Sequence, residues 1–229
     1  KFPDSGAASG ERLFFGFHIL QSKKRFEQAV EVYAKVPPGH PDFVGAQSEM
    51  MYCLQELYKT TNDAALKAQY KDQIAQTGVA LNQVIEQELA GGEANLPPQR
   101  LIDLRKAKAT MILSQAETAI GSGQAGRAIV LLNDFAEQFP GTEFEDMRRE
   151  AMEKQIKAMI AAEKFDDAVS TAQRMMDAFP ENAASVIDGV LRYLDDRLRQ
   201  KQLQMQDLLG DRAKRDAQAI AFIAQLGDP

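Results

Sequence analysis

One run of glycines in the sequence has the spacing of a nucleotide-binding loop. The residues Gly121-Ser122-Gly123-Gln124-Ala125-Gly126 fit the pattern G-x-G-x-x-G, whose glycines let the backbone approach a pyrophosphate. That chemistry needs a β-strand directly before the run, so that the phosphate meets the amino end of a helix. The preceding segment, 107–120, instead has helical periodicity and good helix formers. The sequence therefore predicts a turn between two helices here.

The residues able to bind a metal or act as a nucleophile are few and scattered. His18, His40 and the single Cys53 form no cluster with metal-ligand spacing, and no G-x-S-x-G nucleophile motif occurs. The acidic pair Asp166-Asp167 falls at a predicted helix start, where carboxylates favour the free amides. Asp195-Asp196 lies in a predicted helix rich in arginine, which is typical of exposed pairing. We expect no enzyme, metal or cofactor, with an enzyme or ligand-binding domain as the remote alternative.

Composition limits the classes of partner. The chain has 229 residues, of which 45% are hydrophobic and 26% charged, and its net charge is −6. The negative balance argues against a nucleic acid or anionic membrane partner, because phosphate binding needs clustered Lys and Arg. No apolar run approaches the length of a membrane span. A lone cysteine allows no internal disulfide, and the first residue, Lys1, is typical of a processed or partial sequence, so the compartment stays open.

Apolar spacing predicts an all-α chain of about ten helices in antiparallel pairs. Residues 1–9 form a loose lead-in, and the glycines and prolines of 91–98 separate the helix pairs of 10–92 from those of 97–229 within one continuous array. A capping box is predicted at Thr142-x-x-Glu145. The helices are expected at about 10–25, 26–36, 42–59, 63–90, 98–121, 125–139, 142–163, 166–179, 182–201 and 205–226.

An internal repeat accompanies this pattern. Three segments place a small alanine on a second helix and a proline twelve residues later, namely Phe26-x-x-Ala29 with Pro41, Ala125-x-x-Ala128 with Pro140, and Phe165-x-x-Ala168 with Pro180. A small alanine lets two helices approach closely, and the proline ends the second helix. The first copy carries one extra residue, which we assign to its turn at 22–25. A partial fourth copy fits Gly189, Val190 and Tyr193.

These residues resemble the tetratricopeptide repeat (TPR) family. The resemblance implies a right-handed α-solenoid that acts as a protein-interaction scaffold. Two departures limit it: the third copy starts forty residues after the second instead of the family's thirty-four, and 42–90 forms a pair without the Ala/Pro signature. The run 139–144 also looks like loops of divergent repeats in bacterial cell-envelope assembly proteins, which favours a periplasmic or envelope location over the cytoplasm.

The resemblance also implies a concave, partner-binding surface lined by first helices. Its exposed positions would be Thr110, Leu113 and Glu117 in one pair and Glu150, Glu153 and Lys157 in the next. This mixed, partly acidic groove favours a peptide or helix of another protein with some basic character. Partner identity and biological process are not specified by the sequence. The alternative is a homodimerisation module that uses the 63–90 helix or the final helix.

Overall fold

The computed structural model describes residues 16–210, and for 17–19, 205 and 207–210 only their backbone. This part is helical and contains no strand, which confirms the all-α prediction. The predicted lead-in and the chain beyond 210 lie outside the described residues. The helices of eight residues or more are α1 (Phe26–Tyr33), α2 (Phe43–Thr60), α3 (Ala64–Ala90), α4 (Pro98–Gly121), α5 (Ala125–Leu132), α6 (Glu145–Ala161), α7 (Phe165–Ala178) and α8 (Ala183–Gly210).

Two predicted boundaries are wrong. The helix expected to reach Phe139 ends at Leu132 and resumes as the short helix Phe135–Gln138. The side chains of Asn133 and Asp134 hydrogen-bond to each other at this break, and such residues compete with helical backbone bonding. α8 continues through 201–205, where a break between two helices was expected. The start of the first helix, expected at residue 10, lies outside the described residues, whose first element is the π-helical turn Gly16–Gln21.

The predicted capping box does not form. A 3₁₀ turn, Thr142–Phe144, precedes α6, so the residue at the N-cap is Phe144 and no side chain caps the helix. The turn displaces Thr142 two residues from the N-cap position that its hydroxyl would need. Arg148 instead secures this connection, because its Nη1 donates to the carbonyl oxygens of Phe139 (3.0 Å) and Gly141 (2.6 Å).

The helices pack in a regular order. Consecutive helices joined by short turns pack against each other, and each even-numbered helix also packs against the next even-numbered one, α2 on α4, α4 on α6 and α6 on α8. Helices α1 to α6 bury one large apolar cluster, and α6 to α8 bury a smaller one. The pair α2–α3 takes the same place in this order as the others, although its sequence lacks the repeat signature.

Three turns between paired helices share one backbone geometry. Lys24, Gly123 and Glu163 have positive φ angles of 57°, 75° and 61°. In each case the next residue donates its N–H to a carbonyl five positions back, at 2.8 Å: Arg25 to Leu20, Gln124 to Ala119, and Lys164 to Met159. This is the Schellman ending of a helix. The repeated alanines Ala29, Ala128 and Ala168 follow five residues after the positive-φ residue and are buried.

This geometry confirms the glycine run as an inter-helix turn and explains two of its glycines. Gly123 supplies the positive φ angle, which glycine adopts without steric cost. Gly121 lies against the ring of Tyr58 on α2, where an added Cβ would come within 3.0 Å of ring atoms. The run therefore serves packing and chain reversal.

The extra residue of the first copy was assigned to the wrong place. The turn after Leu20 has the same length as the other two, because Phe26 follows Leu20 by six residues as Ala125 follows Ala119. The extra residue instead lies in the π-helical turn Gly16–Gln21. A π-helix bonds i to i+5 and so accommodates one additional residue without altering the flanking structure.

Candidate functional site

The structure distributes the six predicted surface positions between a core, an ion-pair network and solvent. Leu113 was expected to be exposed, but it is 4% exposed and belongs to the large core. Thr110 is half-buried, and Glu150 and Glu153 are exposed. Glu117 is also largely buried, with 15% of its side chain exposed. Packing of α4 between α2 and α6 accounts for these differences, since it covers much of the face that was expected to be open.

Glu117 is the centre of an ion-pair network between α4 and α6. Its carboxylate accepts hydrogen bonds from Lys154 Nζ at 2.7 Å and Lys157 Nζ at 3.1 Å. Lys154 also pairs with Glu150 at 3.3 Å, and only 13% of the Lys154 side chain is exposed. The network joins three of the predicted positions to one that sequence reasoning missed, Lys154. The negative charge of Glu117 is therefore satisfied within the chain.

The electrostatics of this network favour the charged forms. Burial by itself would raise the pKa of Glu117, but Lys154 and Lys157 overcome that effect and lower the pKa to about 2. Burial likewise would lower the pKa of Lys154, and its bonds to Glu117 and Glu150 raise it instead. Partly buried pairs are screened less by salt than exposed ones, so these contacts fix α6 on α4.

A cleft of about 550 Å³ lies beside this network, between the ends of α4 and α6 and the middle of α8. Its apolar and small residues come from α4, α5 and α6, and its polar side chains come from α6 and α8. The lining residues are Ile120, Gly121, Gly123, Ala125, Lys157, Ile160, Ala161, Tyr193, Asp196, Arg197 and Gln200. Of the six predicted positions, Lys157 is the one that lines the cleft. Its ammonium lies 5.9 Å from the centre of the Tyr193 ring, within cation–π range.

A second ion-pair cluster holds the wall that α8 contributes. Glu163, in the turn after α6, pairs with Arg197 at 2.6 Å and with Lys201 at 2.9 Å. Arg197 also donates to Gln200 at 3.4 Å. These bonds join the α6–α7 turn to α8, so the position of the cleft wall depends on the positive-φ turn. Arg197 and Tyr193 were not predicted as site residues, because their role depends on a contact between helices more than thirty residues apart.

The remaining reactive residues have structural surroundings. Within residues 16–210, no three His, Cys, Asp or Glu side chains lie close enough together to hold a metal ion, and no helix is long and apolar enough to span a membrane. Burial raises the pKa of the Cys53 thiol to about 12, so it is a weak nucleophile. Asp195 pairs with Arg199 at 2.7 Å, which confirms the predicted exposed pairing.

No protein-family model matches the chain, and no curated protein matches it in sequence.

Proposed function

We propose that the chain is a non-enzymatic scaffold that binds a segment of another protein, and that its helices form a TPR-like right-handed solenoid. The observation that carries the proposal is the cleft across α4, α6 and α8. Its volume is within the usual range of ligand pockets, which in α-helical proteins commonly lie between helices. Its walls are fixed by ion pairs, so little ordering free energy would be lost on binding.

The solenoid part of the proposal is supported by the order of contacts and by the repeated turn. In a stacked array each first helix packs on its own second helix and on the next first helix, as α4 does on α5 and α6. The connections after the second helices also repeat. Phe139 and Phe179 are both buried, and their φ and ψ angles are −125° and 67°, and −135° and 68°.

The composition of the cleft changes the expected chemistry of the partner. A basic segment was expected because of Glu117, but that carboxylate is bound by two lysines. The floor consists of small and aliphatic residues such as Ala125 and Ile160, and the rim carries both signs of charge. This surface fits a partner segment that places a small or aliphatic side chain on the floor and polar groups toward α8.

Site-specific photo-crosslinking tests the proposal. A photoreactive amino acid at Gln200, on the rim of the cleft, is compared with one at Val130, which is exposed on α5 and lies outside the cleft. In extracts of the source cells, we expect one protein to be captured from position 200 and not from position 130. Ala161→Arg, which fills the cleft, should abolish this adduct. Equal capture from both positions, or capture that survives Ala161→Arg, would contradict the proposal.

A homodimer through α8 is the second candidate function. The helix carries Ile187, Leu191 and Leu198 at 49%, 59% and 61% exposure, and their spacing of four and seven residues places them on one face. Light scattering over a range of concentrations tests this candidate. The candidate is supported if the chain forms a dimer, Leu191→Asp dissociates that dimer and the control Val130→Asp leaves it intact. A monomer at all concentrations would exclude dimerisation through α8.

A further inference from the structure

A second, smaller cleft lies between α3 and the end of α4 with its turn to α5. Its volume is about 50 Å³, which is room for about four water molecules. Buried residues such as Ile74 and Ala119 form its floor. The polar residues that line it include Lys71, Gln115, Gln124 and Arg127.

The charge of this cleft is unbalanced. Lys71 and Arg127 line it together with neutral residues, and no carboxylate lines it. Neither cation takes part in an ion pair within residues 16–210. The three other clefts described on the chain each include an acid, namely Glu153, Asp196 or Glu88. Two unpaired cations in one cleft are unusual in a chain whose net charge is −6.

Neutral hydrogen-bond donors accompany these cations. The half-buried amide of Gln115 makes no hydrogen bond to another described residue, and the amide of Gln124 also lines the cleft. Gly78 on α3 leaves the space that the Gln115 amide occupies, because an added Cβ there would lie 2.8 Å from its Nε2. These two amides and two cations are hydrogen-bond donors, and their acceptors must come from solvent or from a bound molecule.

We propose that this cleft binds a small oxyanion, a phosphate or a carboxylate group. Arg and Lys side chains bind such groups by charge-assisted hydrogen bonds, and an apolar floor strengthens those bonds by limiting competition from water. The volume has room for one such anionic group. The inference does not depend on the proposed partner-binding cleft, since the two clefts share no lining residue.

Isothermal titration of the full chain tests this site, with inorganic phosphate and acetate as separate probes. We expect saturable binding of at least one anion that weakens about tenfold or more, or about 1.4 kcal/mol, in the double variant Lys71→Gln/Arg127→Gln. The charge-matched control Lys106→Gln/Lys164→Gln removes two exposed lysines outside the cleft, and it should change affinity by less than about twofold.

The two probes distinguish the source of the anion. Preference for phosphate indicates a free phosphate or a phosphorylated group, whereas preference for acetate indicates an Asp or Glu side chain of a protein. The absence of saturable binding for both probes would overturn the inference, as would equal weakening in the two double variants. Gln115→Ala gives a second check, because it removes an amide donor without changing charge and should also weaken binding.

Discussion

Removal of the Glu117 charge should destabilise the fold in a pH-dependent way. The carboxylate is 15% exposed and binds Lys154 and Lys157. Its pKa falls from the ordinary value of 4.5 to about 2 in the folded chain. At 1.36 kcal/mol per unit, this shift corresponds to about 3 kcal/mol of stability. Glu117→Gln keeps the shape of the side chain and removes the charge.

The direction of the pH dependence follows from the lowered pKa. A carboxylate with a lowered folded pKa stabilises the fold above its unfolded pKa, and that contribution is lost as pH falls through the folded pKa. At pH 7 we expect Glu117→Gln to be about 3 kcal/mol less stable than the parent chain. The variant also leaves Lys154 largely buried without its principal partner, which adds to the loss. Between about pH 5 and pH 2 the difference between the two proteins should shrink.

Urea unfolding followed by circular dichroism at pH 7, 5 and 3 measures this difference. Glu137→Gln is the matched control, because Glu137 is exposed and forms no ion pair with a described residue. The control should change the free energy of unfolding by less than about 0.5 kcal/mol at each pH. A loss below about 1 kcal/mol for Glu117→Gln at pH 7, or a loss that is constant with pH, would refute the reasoning.

Four further outcomes are expected. Gly123→Ala should lower the free energy of unfolding by about 1 kcal/mol, because the φ angle of Gly123 is +75° and an added Cβ meets no atom within 4 Å. Lys24→Gly should raise the free energy of unfolding by a similar amount. Thermal unfolding measures both changes. Ala128→Leu should destabilise by about 1 to 3 kcal/mol, since Ala128 is fully buried, whereas a change under about 0.5 kcal/mol in chemical denaturation would contradict its packing role. Burial raises the pKa of the Cys53 thiol to about 12, so thiol reagents at pH 8 should react only on unfolding, and rapid labelling of the native chain would refute this.

Local sequence predicted the elements well, because helix periodicity and terminating residues act within a few positions. The buried alanines Ala128 and Ala168 and the inter-helix turn at 121–124 follow from such local patterns. The turn at Glu163 has the same conformation as the one at Gly123, but its non-glycine residue gave no signal. The Schellman ending at Glu163 is identified only from the hydrogen bond that the Lys164 N–H donates to the Met159 carbonyl oxygen.

The candidate site was less predictable for a different physical reason. Glu117 and Lys154 lie 37 residues apart, and helical periodicity does not report which faces of two distant helices meet. Leu113 was expected to be exposed by analogy with a repeat position, but packing within the array buries it. Leu113 is the apolar member of the six predicted positions, and this was the available signal that it is buried.

Hydrogen–deuterium exchange on the complex with the captured partner tests the scaffold proposal most directly. Binding across the cleft predicts slower exchange in peptides that cover 118–125, 157–161 and 193–200, because these segments line it. Exchange in α1 and in the first half of α3 should stay unchanged. Protection confined to α1–α3, or protection of α8 without protection of 118–125 and 157–161, would contradict partner binding in the cleft.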